Sequence, residues 1–417
     1  MLRATSSYCD LGCQVRKEAV VKEVVIAGYL RTAQSRSRPN APERDWFHKL
    51  RADELLAALV PELVEQTGVA VDAIDDFIVG CSEGVGEQWT YGGRTPLFLA
   101  NMSEKTAAKF VDQQCGSGMA AIHIGYLEIA TGNADIVVAG GMENMTRVPM
   151  DIAEPDINQN FFSEEMYRRW DMDISLNMGL TAEKLADRAG ITRQEMDDWA
   201  LRSQQRAAQA MKEGFMRGEI LPIEAEQGDG NKVVIDHDQA IRTDTCMADL
   251  EKLRTVFKEN GSITAGNASP LNAGAAAMMM MAKNTAGMLG IKPLATVRAI
   301  GFAGVDPTLM GLGPIPASKK ALKMAGLGVE DIDYWEINEA FCVVAQNCIN
   351  ALGIDPERVN VKGGGVAIGH PLGATGIRLV GTLARILNEK KGRYGLANAC
   401  VGGGQGVATV IEREDDL

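Results

Sequence analysis

A cysteine in the stretch VDQQCGSGMAAIHIG, residues 111–125, is the first candidate for chemistry in this sequence. Cys115 follows a polar dipeptide and precedes Gly-Ser-Gly, after which small and apolar residues recur at helical spacing. A helix N-terminus lowers the pKa of a thiol and presents free N–H groups to an oxyanion, so Cys115 could be a nucleophile. A small buried cysteine without a chemical role is the alternative, and placement alone does not decide between them.

Three other segments carry groups that could assist a thiol. His370, in GHPLGATG, stands on a stiff loop before a helical pattern and could act as its base. Cys400, in NACVGGGQG, ends an apolar strand, and a thiol with an ordinary pKa of about 8.5 can move protons at carbon. A buried strand cysteine is the alternative for Cys400. Asn338, in EINEAF, also ends a strand and could donate its amide to an oxyanion or hold a water.

The other histidines and cysteines indicate no metal site. His123, two helical turns after the thiol, is expected in the core or on the surface. Cys9 and Cys13 are the closest cysteine pair, and no second pair at zinc-ligand spacing accompanies them. A chain of this size needs no disulfides, so free thiols in a reducing compartment are expected. Residues 1–17 only faintly resemble a transit peptide, and we predict a cytoplasmic protein.

The composition is that of a soluble globular enzyme and restricts the classes of partner. The chain has 417 residues, 46% of them hydrophobic and 23% charged, which is enough for a sizeable core. Its formal net charge of −13 argues against non-specific nucleic-acid binding, but an anionic ligand needs only a few local cations. No apolar run approaches the roughly 20 residues that span a bilayer, and NAGAAAMMMMA, residues 272–282, is predicted to be a buried strand.

The sequence contains an internal repeat. TGVAVDAIDDFIVG, residues 67–80, and AGLGVEDIDYWEIN, residues 325–338, place Gly, Val, Ile and Asp in one register. Each segment follows a helical pattern and runs into an apolar strand. The distance along the chain that separates the two segments also separates Cys115 from Gly373, which lies in a second Gly-rich loop opening onto a helix. We therefore predict two duplicated halves.

Alternating β and α segments predict an α/β fold with parallel strands whose carboxyl ends present ligands. Three Gly-rich turns, two of them in the second half, are expected to converge on one cleft at the carboxyl ends of these strands. The charged region between the halves reads as a helical insertion, with Thr181 and Thr192 as predicted N-caps. The predicted N-terminal half covers residues 18–146 and continues at about 261–290. The predicted inserted domain covers residues 147–260, and the predicted C-terminal half covers residues 291–417.

Several blocks together resemble a known family. QQCGSG, NEAF, NVKGGGVAIGHPLGATG and NACVGGGQG, in that order, are similar to the catalytic blocks of the thiolases, and the likeness runs from Lys22 to about Arg413. The resemblance implies a five-layered αβαβα fold of two duplicated halves with an inserted loop domain. It also implies cleavage of a 3-ketoacyl-CoA by CoA to acetyl-CoA and a shortened acyl-CoA, or the reverse Claisen condensation. CoA would be a co-substrate, with no tightly bound cofactor and no metal, in a homodimer or a dimer of dimers.

The resemblance assigns a role to each block. Cys115 would attack the 3-keto carbon and carry the acyl group, while Cys400 would give or take the proton at the α-carbon. His370 and a water held by Asn338 would stabilise the enolate oxygen. The backbone N–H groups of Cys115 and Gly402 would hold the other oxyanion.

The resemblance also gives CoA contacts. Ser269, in GNAS, would lie near the pantetheine arm, and Arg242, in AIRTD, near the nucleotide, although a solvated loop arginine is nearly as good an interpretation there.

Alternative functions differ in features that the sequence carries. An acetoacetyl-CoA-specific biosynthetic acetyl-CoA acetyltransferase is disfavoured by Asn177, where many such members carry His. A decarboxylating ketoacyl carrier-protein synthase would use one cysteine with two histidines or with His and Asn, whereas this chain has a second thiol block. A non-catalytic, lipid-binding relative would be expected to lack one of the four blocks. A nucleotide-dependent oxidoreductase is disfavoured because no G-x-G-x-x-G follows a strand.

Overall fold

The computed structural model describes residues 21–150 and 157–414, so residues 1–17, which faintly resemble a transit peptide in sequence, lie outside the described part. The strands are β1 (Val24–Arg31), β2 (Ser35–Arg36), β3 (Asp76–Gly80), β4 (Ala107–Val111), β5 (Ile136–Asn144), β6 (Ile223–Glu226), β7 (Lys232–Ile235), β8 (Asn272–Ala282), β9 (Ala295–Gly304), β10 (Tyr334–Ile337), β11 (Tyr394–Val401) and β12 (Gln405–Glu412). The α-helices are α1 (Ala52–Thr67), α2 (Arg94–Leu99), α3 (Ser117–Thr131), α4 (Asn160–Ser163), α5 (Met172–Ser175), α6 (Met178–Ala189), α7 (Arg193–Lys212), α8 (Met247–Glu251), α9 (Lys283–Leu289), α10 (Pro314–Ala325), α11 (Cys342–Leu352), α12 (Gly365–Ile368) and α13 (Leu372–Lys390).

The sheet order repeats the duplication seen in the sequence. Outward from the centre, the N-terminal half runs β1, β8, β5, β3 and β4, and the C-terminal half runs β9, β12, β11 and β10. In both halves the first two pairings are antiparallel and the next is parallel. The halves join where β1 pairs with β9, at Val24 opposite Val297. The repeated segments also end their helices alike, because Gly68 and Gly326 are left-handed C-caps of α1 and α10.

Five layers follow from how the helices cover the sheet. Helix α1 packs on the outer face of β1, β5 and β8, and α10 packs on β9 and β12. Helices α3 and α13 pack against each other in the middle, and α13 contacts β5 and β11 from opposite halves. Side chains alternate along each strand, so that Val25 joins the outer apolar cluster and Val24 the central one. The five-layered αβαβα fold predicted from the resemblance is confirmed.

Glycines allow the central helices to approach closely. A Cβ on Gly118 of α3 would lie 2.4 Å from the carbonyl oxygen of Gly373 in α13. A Cβ on Gly376 would lie 2.1 Å from the backbone nitrogen of Met119. Larger residues there would push α3 and α13 apart, and these are the helices that follow Cys115 and His370 directly.

The region between β5 and β8 contains helices α4 to α8 and the hairpin β6–β7. Thr192 caps α7 as predicted, in a capping box with Glu195. The predicted cap at Thr181 is wrong. Helix α6 starts a turn earlier, where Asn177 has an extended backbone and accepts from the N–H of Leu180 at 3.1 Å. The hydroxyl of Thr181 instead donates to the carbonyl of Met178 inside the helix.

The apolar run at residues 272–282 is a strand, as predicted. Strand β8 is buried along its whole length and lies between β1 and β5. Among the helices of the described residues, none combines the length and the apolar character that crossing a membrane requires.

Candidate active site

A cavity of about 1110 Å³ opens where the two halves and the inserted region meet. The three Gly-rich turns converge on it as predicted, because Cys115, His370 and Gly402 all line its wall. Ser269 and Asn177 add polar atoms to a wall that is otherwise mostly apolar. An apolar cavity with a few convergent polar groups is the usual form of a small-molecule site.

The turn between β4 and α3 points Cys115 into this cavity. Gln114, Cys115 and Gly116 form one turn of 3-10 helix, and Gln114 has a left-handed backbone with φ of 48°. Ser117 holds that turn, since its Oγ accepts from the N–H of Gln113 at 2.8 Å and donates to the carbonyl of Gln114 at 2.7 Å. A strained turn kept by such hydrogen bonds is typical of a functional position.

The Cys115 thiol is only partly exposed and is protonated at rest. Burial raises the pKa of Cys115 to about 11, although the backbone N–H groups of Gly402 and of Cys115 itself favour the thiolate. These are the two N–H groups that the sequence suggested as oxyanion donors, and they lie beside the sulfur. A thiol with this pKa needs a base before it can attack a carbonyl carbon.

The sequence suggested His370 as that base, and its ring lines the same cavity as Cys115. Its Nδ1 lies 2.7 Å from Oγ1 of Thr375, and that hydroxyl lies 2.9 Å from the carbonyl oxygen of Pro371. A carbonyl can only accept, so the Thr375 hydroxyl donates to it and Nδ1–H of His370 donates to the hydroxyl oxygen. Nε2 is therefore the unprotonated nitrogen. Burial, and then the charge of Arg378, lower the pKa of His370 to about 3, which keeps the ring neutral.

Asn338 adjoins this imidazole. It follows β10, is fully buried, and its Nδ2 lies 3.3 Å from Nε2 of His370. The other amide atom, Oδ1, is buried without a hydrogen-bond partner in the part of the chain that the structure describes. A buried unpartnered oxygen costs stability and is characteristic of a position that binds a polar ligand or a water.

Cys400 ends β11 opposite Gly406 of β12 and is fully buried. Burial raises the pKa of Cys400 far above its ordinary value, and the proximity of Cys115 raises it further. The structure therefore brings both thiols, the imidazole and the Asn338 amide into one place. His123 lies elsewhere, buried with its Nε2 3.0 Å from Oγ1 of Thr409, in agreement with the core position expected for it.

The two residues suggested for CoA are placed differently. Ser269 lines the Cys115 cavity, and its backbone N–H donates to the carbonyl of Ala340. Arg242 is exposed and does not line that cavity; its backbone N–H donates to Gln204. Arg242 lines a smaller recess that shares Pro270 with the cavity wall, so it lies beside the cavity without lining it.

Two features of the site were missed from the sequence. Glu143 is a buried carboxylate that accepts from the N–H of Ser82 at 2.9 Å and of Gly373, in the first turn of α13, at 3.0 Å. Glu143 could have been recognised from the sequence, because it is a glutamate inside an otherwise apolar strand. The second feature is the apolar wall of the cavity, to which the inserted region contributes Phe161, Trp170, Met172, Leu176 and Phe257.

The arrangement suits acyl transfer through a thioester. A nucleophilic sulfur, a neutral imidazole, backbone N–H donors and a second thiol are the parts needed for acylation and for proton transfer at carbon. Among the described residues, no group of three or more His, Cys, Asp or Glu is placed to hold a metal ion.

Comparison with known proteins agrees with this geometry. The family model "Thiolase, N-terminal domain" matches residues 24–284, and "Thiolase, C-terminal domain" matches residues 291–413. The 3-ketoacyl-CoA thiolase of Marinobacter nauticus is 40% identical over 397 residues, covering 94% of this chain and 98% of that protein. The acetyl-CoA acetyltransferase of Chromobacterium violaceum is 40% identical over 378 residues, covering 88% and 94%.

A solved structure extends the likeness to three dimensions. The crystal structure of human mitochondrial 3-ketoacyl-CoA thiolase has a TM-score of 0.84 and 31% identity, and the match covers 95% of this chain and all of that one. Both family models, the full-length relatives and this structure identify the same group of proteins. The chain belongs to the thiolase family.

Proposed function

We propose that this protein is an acyl-CoA thiolase that cleaves a 3-ketoacyl-CoA with CoA to acetyl-CoA and a shortened acyl-CoA, or runs the reverse condensation. The observation that carries the proposal is that Cys115 and His370 line one cavity while Cys400 is buried close enough to Cys115 for its pKa to be raised by that thiol. One thiol can hold an acyl group while the other handles a proton, and breaking a C–C bond between two carbonyl fragments requires both. Relatives over nearly the whole chain carry the name 3-ketoacyl-CoA thiolase.

In the proposed acylation step, Nε2 of His370 takes the proton of Cys115, and the sulfur forms a bond to the 3-keto carbon. The new oxyanion receives the N–H groups of Cys115 and Gly402. The bond between C2 and C3 then breaks, and the electron pair moves to C2 of the departing acetyl-CoA. Cys400 donates its proton to C2, while protonated Nε2 and the amide of Asn338, through a water, stabilise the enolate oxygen.

In the proposed deacylation step, free CoA replaces acetyl-CoA. The Cys400 thiolate takes the proton of the CoA thiol, whose sulfur attacks the thioester on Cys115. The same two backbone N–H groups receive the oxyanion. When the Cys115–acyl bond breaks, the sulfur recovers its proton from His370, and both thiols return to their starting state.

The cavity supports substrates longer than acetoacetyl-CoA. Its volume of about 1110 Å³ is at the upper end of the range usual for small-molecule sites, which leaves room for an alkyl chain. Trp170, Met172 and Leu176 add apolar side chains to the cavity wall, and an alkyl chain packed against them would be removed from water. An acetoacetyl-specific acetyltransferase is correspondingly less favoured, and a non-catalytic lipid-binding protein is disfavoured because none of the four catalytic blocks is missing.

The remaining assignments are proposals of the same kind. Ser269 would contact the pantetheine arm. The inserted region at 147–260 would carry most of the CoA site. It would lie between an N-terminal half, at 18–146 with 261–290, and a C-terminal half at 291–417. CoA is a co-substrate in this scheme, with no tightly bound cofactor. We also propose a cytoplasmic homodimer or dimer of dimers. Exposed Trp89 and Tyr91, close in sequence to the edge strand β4, support such an interface.

Trapping the acyl-enzyme tests the proposal. After mixing with a 3-ketoacyl-CoA, the native protein and a Cys246→Ala control should release acetyl-CoA and gain the mass of the acyl group on Cys115. Cys246 is exposed and away from the cavity, which makes it a matched cysteine control. Cys115→Ala should keep its fold and show neither product. An acyl adduct on Cys115→Ala, or on another cysteine of the native protein, would contradict the assigned role.

A further inference from the structure

Two glutamines connect the turns that carry Cys115 and Gly402. Gln113 lies two residues before Cys115, and Gln405 lies three residues after Gly402. Although 292 residues separate the two glutamines in the chain, Nε2 of Gln113 donates to Oε1 of Gln405 at 3.2 Å. We call this hydrogen bond the glutamine bridge. It joins the N-terminal half, at the turn after β4, to the C-terminal half, at the turn between β11 and β12.

On the C-terminal side, the bridge is attached to a turn made of three glycines. Gly403 and Gly404 have positive φ angles of 77° and 81°, and a glycine can adopt many backbone conformations, so local sequence fixes the direction of this turn poorly. Nε2 of Gln405 lies 3.5 Å from the carbonyl oxygen of Gly402, a long contact, and Gln405 is the first residue of strand β12. One amide of Gln405 therefore contacts both the glycine turn and the opposite half.

On the N-terminal side, the bridge is attached to the turn that presents Cys115. The backbone N–H of Gln113 donates to Oγ of Ser117 at 2.8 Å, and that hydroxyl donates to the carbonyl of Gln114. Gln114 has a left-handed backbone, which is strained for a residue with a Cβ, so the turn depends on such contacts. Gln113 thus has its backbone bonded within the Cys115 turn and its side chain bonded to the other half.

Beside the bridge, the two turns touch through close-packed carbon atoms. A Cβ on Gly116 would lie 2.8 Å from Cγ2 of Val401. A Cβ on Gly402 would lie 3.6 Å from Cγ of Gln114. Contacts of this kind limit how closely the turns approach but have no preferred direction. A hydrogen bond has both a preferred length and a preferred direction, so the bridge supplies what these contacts lack.

We propose that Gln113 and Gln405 are positioning residues, whose bridge sets the spacing between the two N–H groups that receive the acyl oxyanion, those of Cys115 and Gly402. The proposal rests on the acyl-CoA thiolase function proposed above. Both N–H groups must point at one oxygen atom, yet they come from opposite halves of the molecule. Their spacing therefore depends on how the two turns are held together.

The proposal predicts a selective defect, because other groups serve the enolate oxygen. His370 and Asn338, which would stabilise the enolate, take no part in the hydrogen bonds of the bridge. Loss of the bridge should therefore slow acyl transfer to and from Cys115 and leave proton transfer at C2 of acetyl-CoA unchanged. A general loosening of the fold would slow both.

The test removes the bridge from either end. Deleting one oxyanion donor costs about 10²- to 10³-fold in rate, so misplacing a donor in Gln113→Met or Gln405→Met should slow acylation of Cys115 by an acyl-CoA about tenfold to hundredfold. Rapid-quench mass spectrometry measures that rate. Exchange of the α-protons of acetyl-CoA with deuterated water, followed by NMR, should keep its native rate. Because the two residues act through one contact, Gln113→Met/Gln405→Met should be no slower than the slower single variant.

Gln346→Met is the matched control. Gln346 is also partly exposed, and its amide donates to the carbonyl of Glu195 at 2.8 Å, but it does not line the cavity. This variant should acylate and exchange at native rates. Native acylation in both bridge variants, an equal loss of acylation and exchange, or additive losses in the double variant would overturn the proposal.

Failure of the parent function is separable from failure of the bridge. If the native protein transfers no acyl group, the thiolase function fails, but the resting thiol still reports on the bridge. Burial raises the pKa of Cys115, and the N–H groups of Gly402 and of Cys115 itself lower it. The charges of Glu143 and Asp112, which raise this pKa further, are unaltered in the bridge variants. Alkylation of Cys115 by iodoacetamide at one mildly alkaline pH should therefore be slower in these variants than in Gln346→Met. Equal alkylation rates would refute the bridge even in an active enzyme.

Discussion

Replacing Cys400 by serine should separate the two chemical tasks of the active site. The side chains are similar in shape, and Cys400 is fully buried at the end of β11, so the change alters little except the acidity of the group. The groups around Cys115 are untouched, namely its own N–H, that of Gly402, and the His370 ring. We therefore expect Cys400→Ser to accept an acyl group from a simple acyl-CoA and to fail at proton transfer to and from carbon.

The size of the loss follows from the proton-transfer role. A hydroxyl has a far higher pKa than a thiol, and loss of one acid–base group costs about 10²- to 10⁴-fold in rate. A new hydroxyl in this buried position costs about 1–3 kcal/mol if it finds no partner. That is small against the roughly 5–15 kcal/mol by which domains are usually stable, so the variant should remain folded.

Two measurements read the two tasks separately. Mass spectrometry follows acylation of Cys115 by acyl-CoA, and NMR follows exchange of the α-protons of acetyl-CoA with deuterated water. Cys342→Ser is the matched control, because Cys342 is also fully buried and, unlike Cys348, does not act on the pKa of Cys400. It should acylate and exchange normally. Normal exchange in Cys400→Ser, or equal loss of both activities, would refute the division of labour and leave Cys400 structural.

Two further predictions concern the base and the nucleophile. Thr375→Val removes the acceptor of the Nδ1 proton of His370, so kcat should fall about tenfold or more. Thr375→Ser keeps the hydroxyl and should restore kcat. Equal kcat in both variants would argue against the assigned tautomer. Since the pKa of Cys115 is raised to about 11, alkylation of Cys115 by iodoacetamide in substrate-free protein should accelerate about tenfold per pH unit between roughly pH 7 and 10. A rate independent of pH, measured by peptide mass spectrometry, would contradict the protonated resting state.

Much of the fold was predictable because its signals are local. The repeated segments contain a helix-ending glycine followed by a buried strand, and Gly68 and Gly326 have the left-handed backbone that such an end requires. Cys115 and His370 were recognisable for the same reason, since each stands immediately before a helix in a Gly-rich turn. Because the same local pattern occurs twice in one chain, the sequence was enough to predict duplicated halves facing one cleft.

Features that depend on distant parts of the chain were not predictable. The choice of Asn177 over Thr181 as the cap of α6 depends on where tertiary packing starts that helix. Arg36 and Arg242 line one recess, and neither residue has a neighbouring motif that indicates the other. Glu143 could have been flagged as a charge inside an apolar strand, but its bond to Gly373 appears only when the two halves are folded together.

Cys115, Cys400 and His370 are all uncharged at rest, which keeps the two thiols unreactive until substrate arrives. Burial raises the pKa of both Cys115 and Cys400 and lowers that of His370, so none of these three side chains carries charge before substrate arrives. In the proposed mechanism charge develops only as the sulfur attacks, and it develops on the carbonyl oxygen, which the N–H groups of Cys115 and Gly402 beside the sulfur would receive. In low-dielectric surroundings those donors act most strongly on the transition state, because there is no resting anion for them to stabilise.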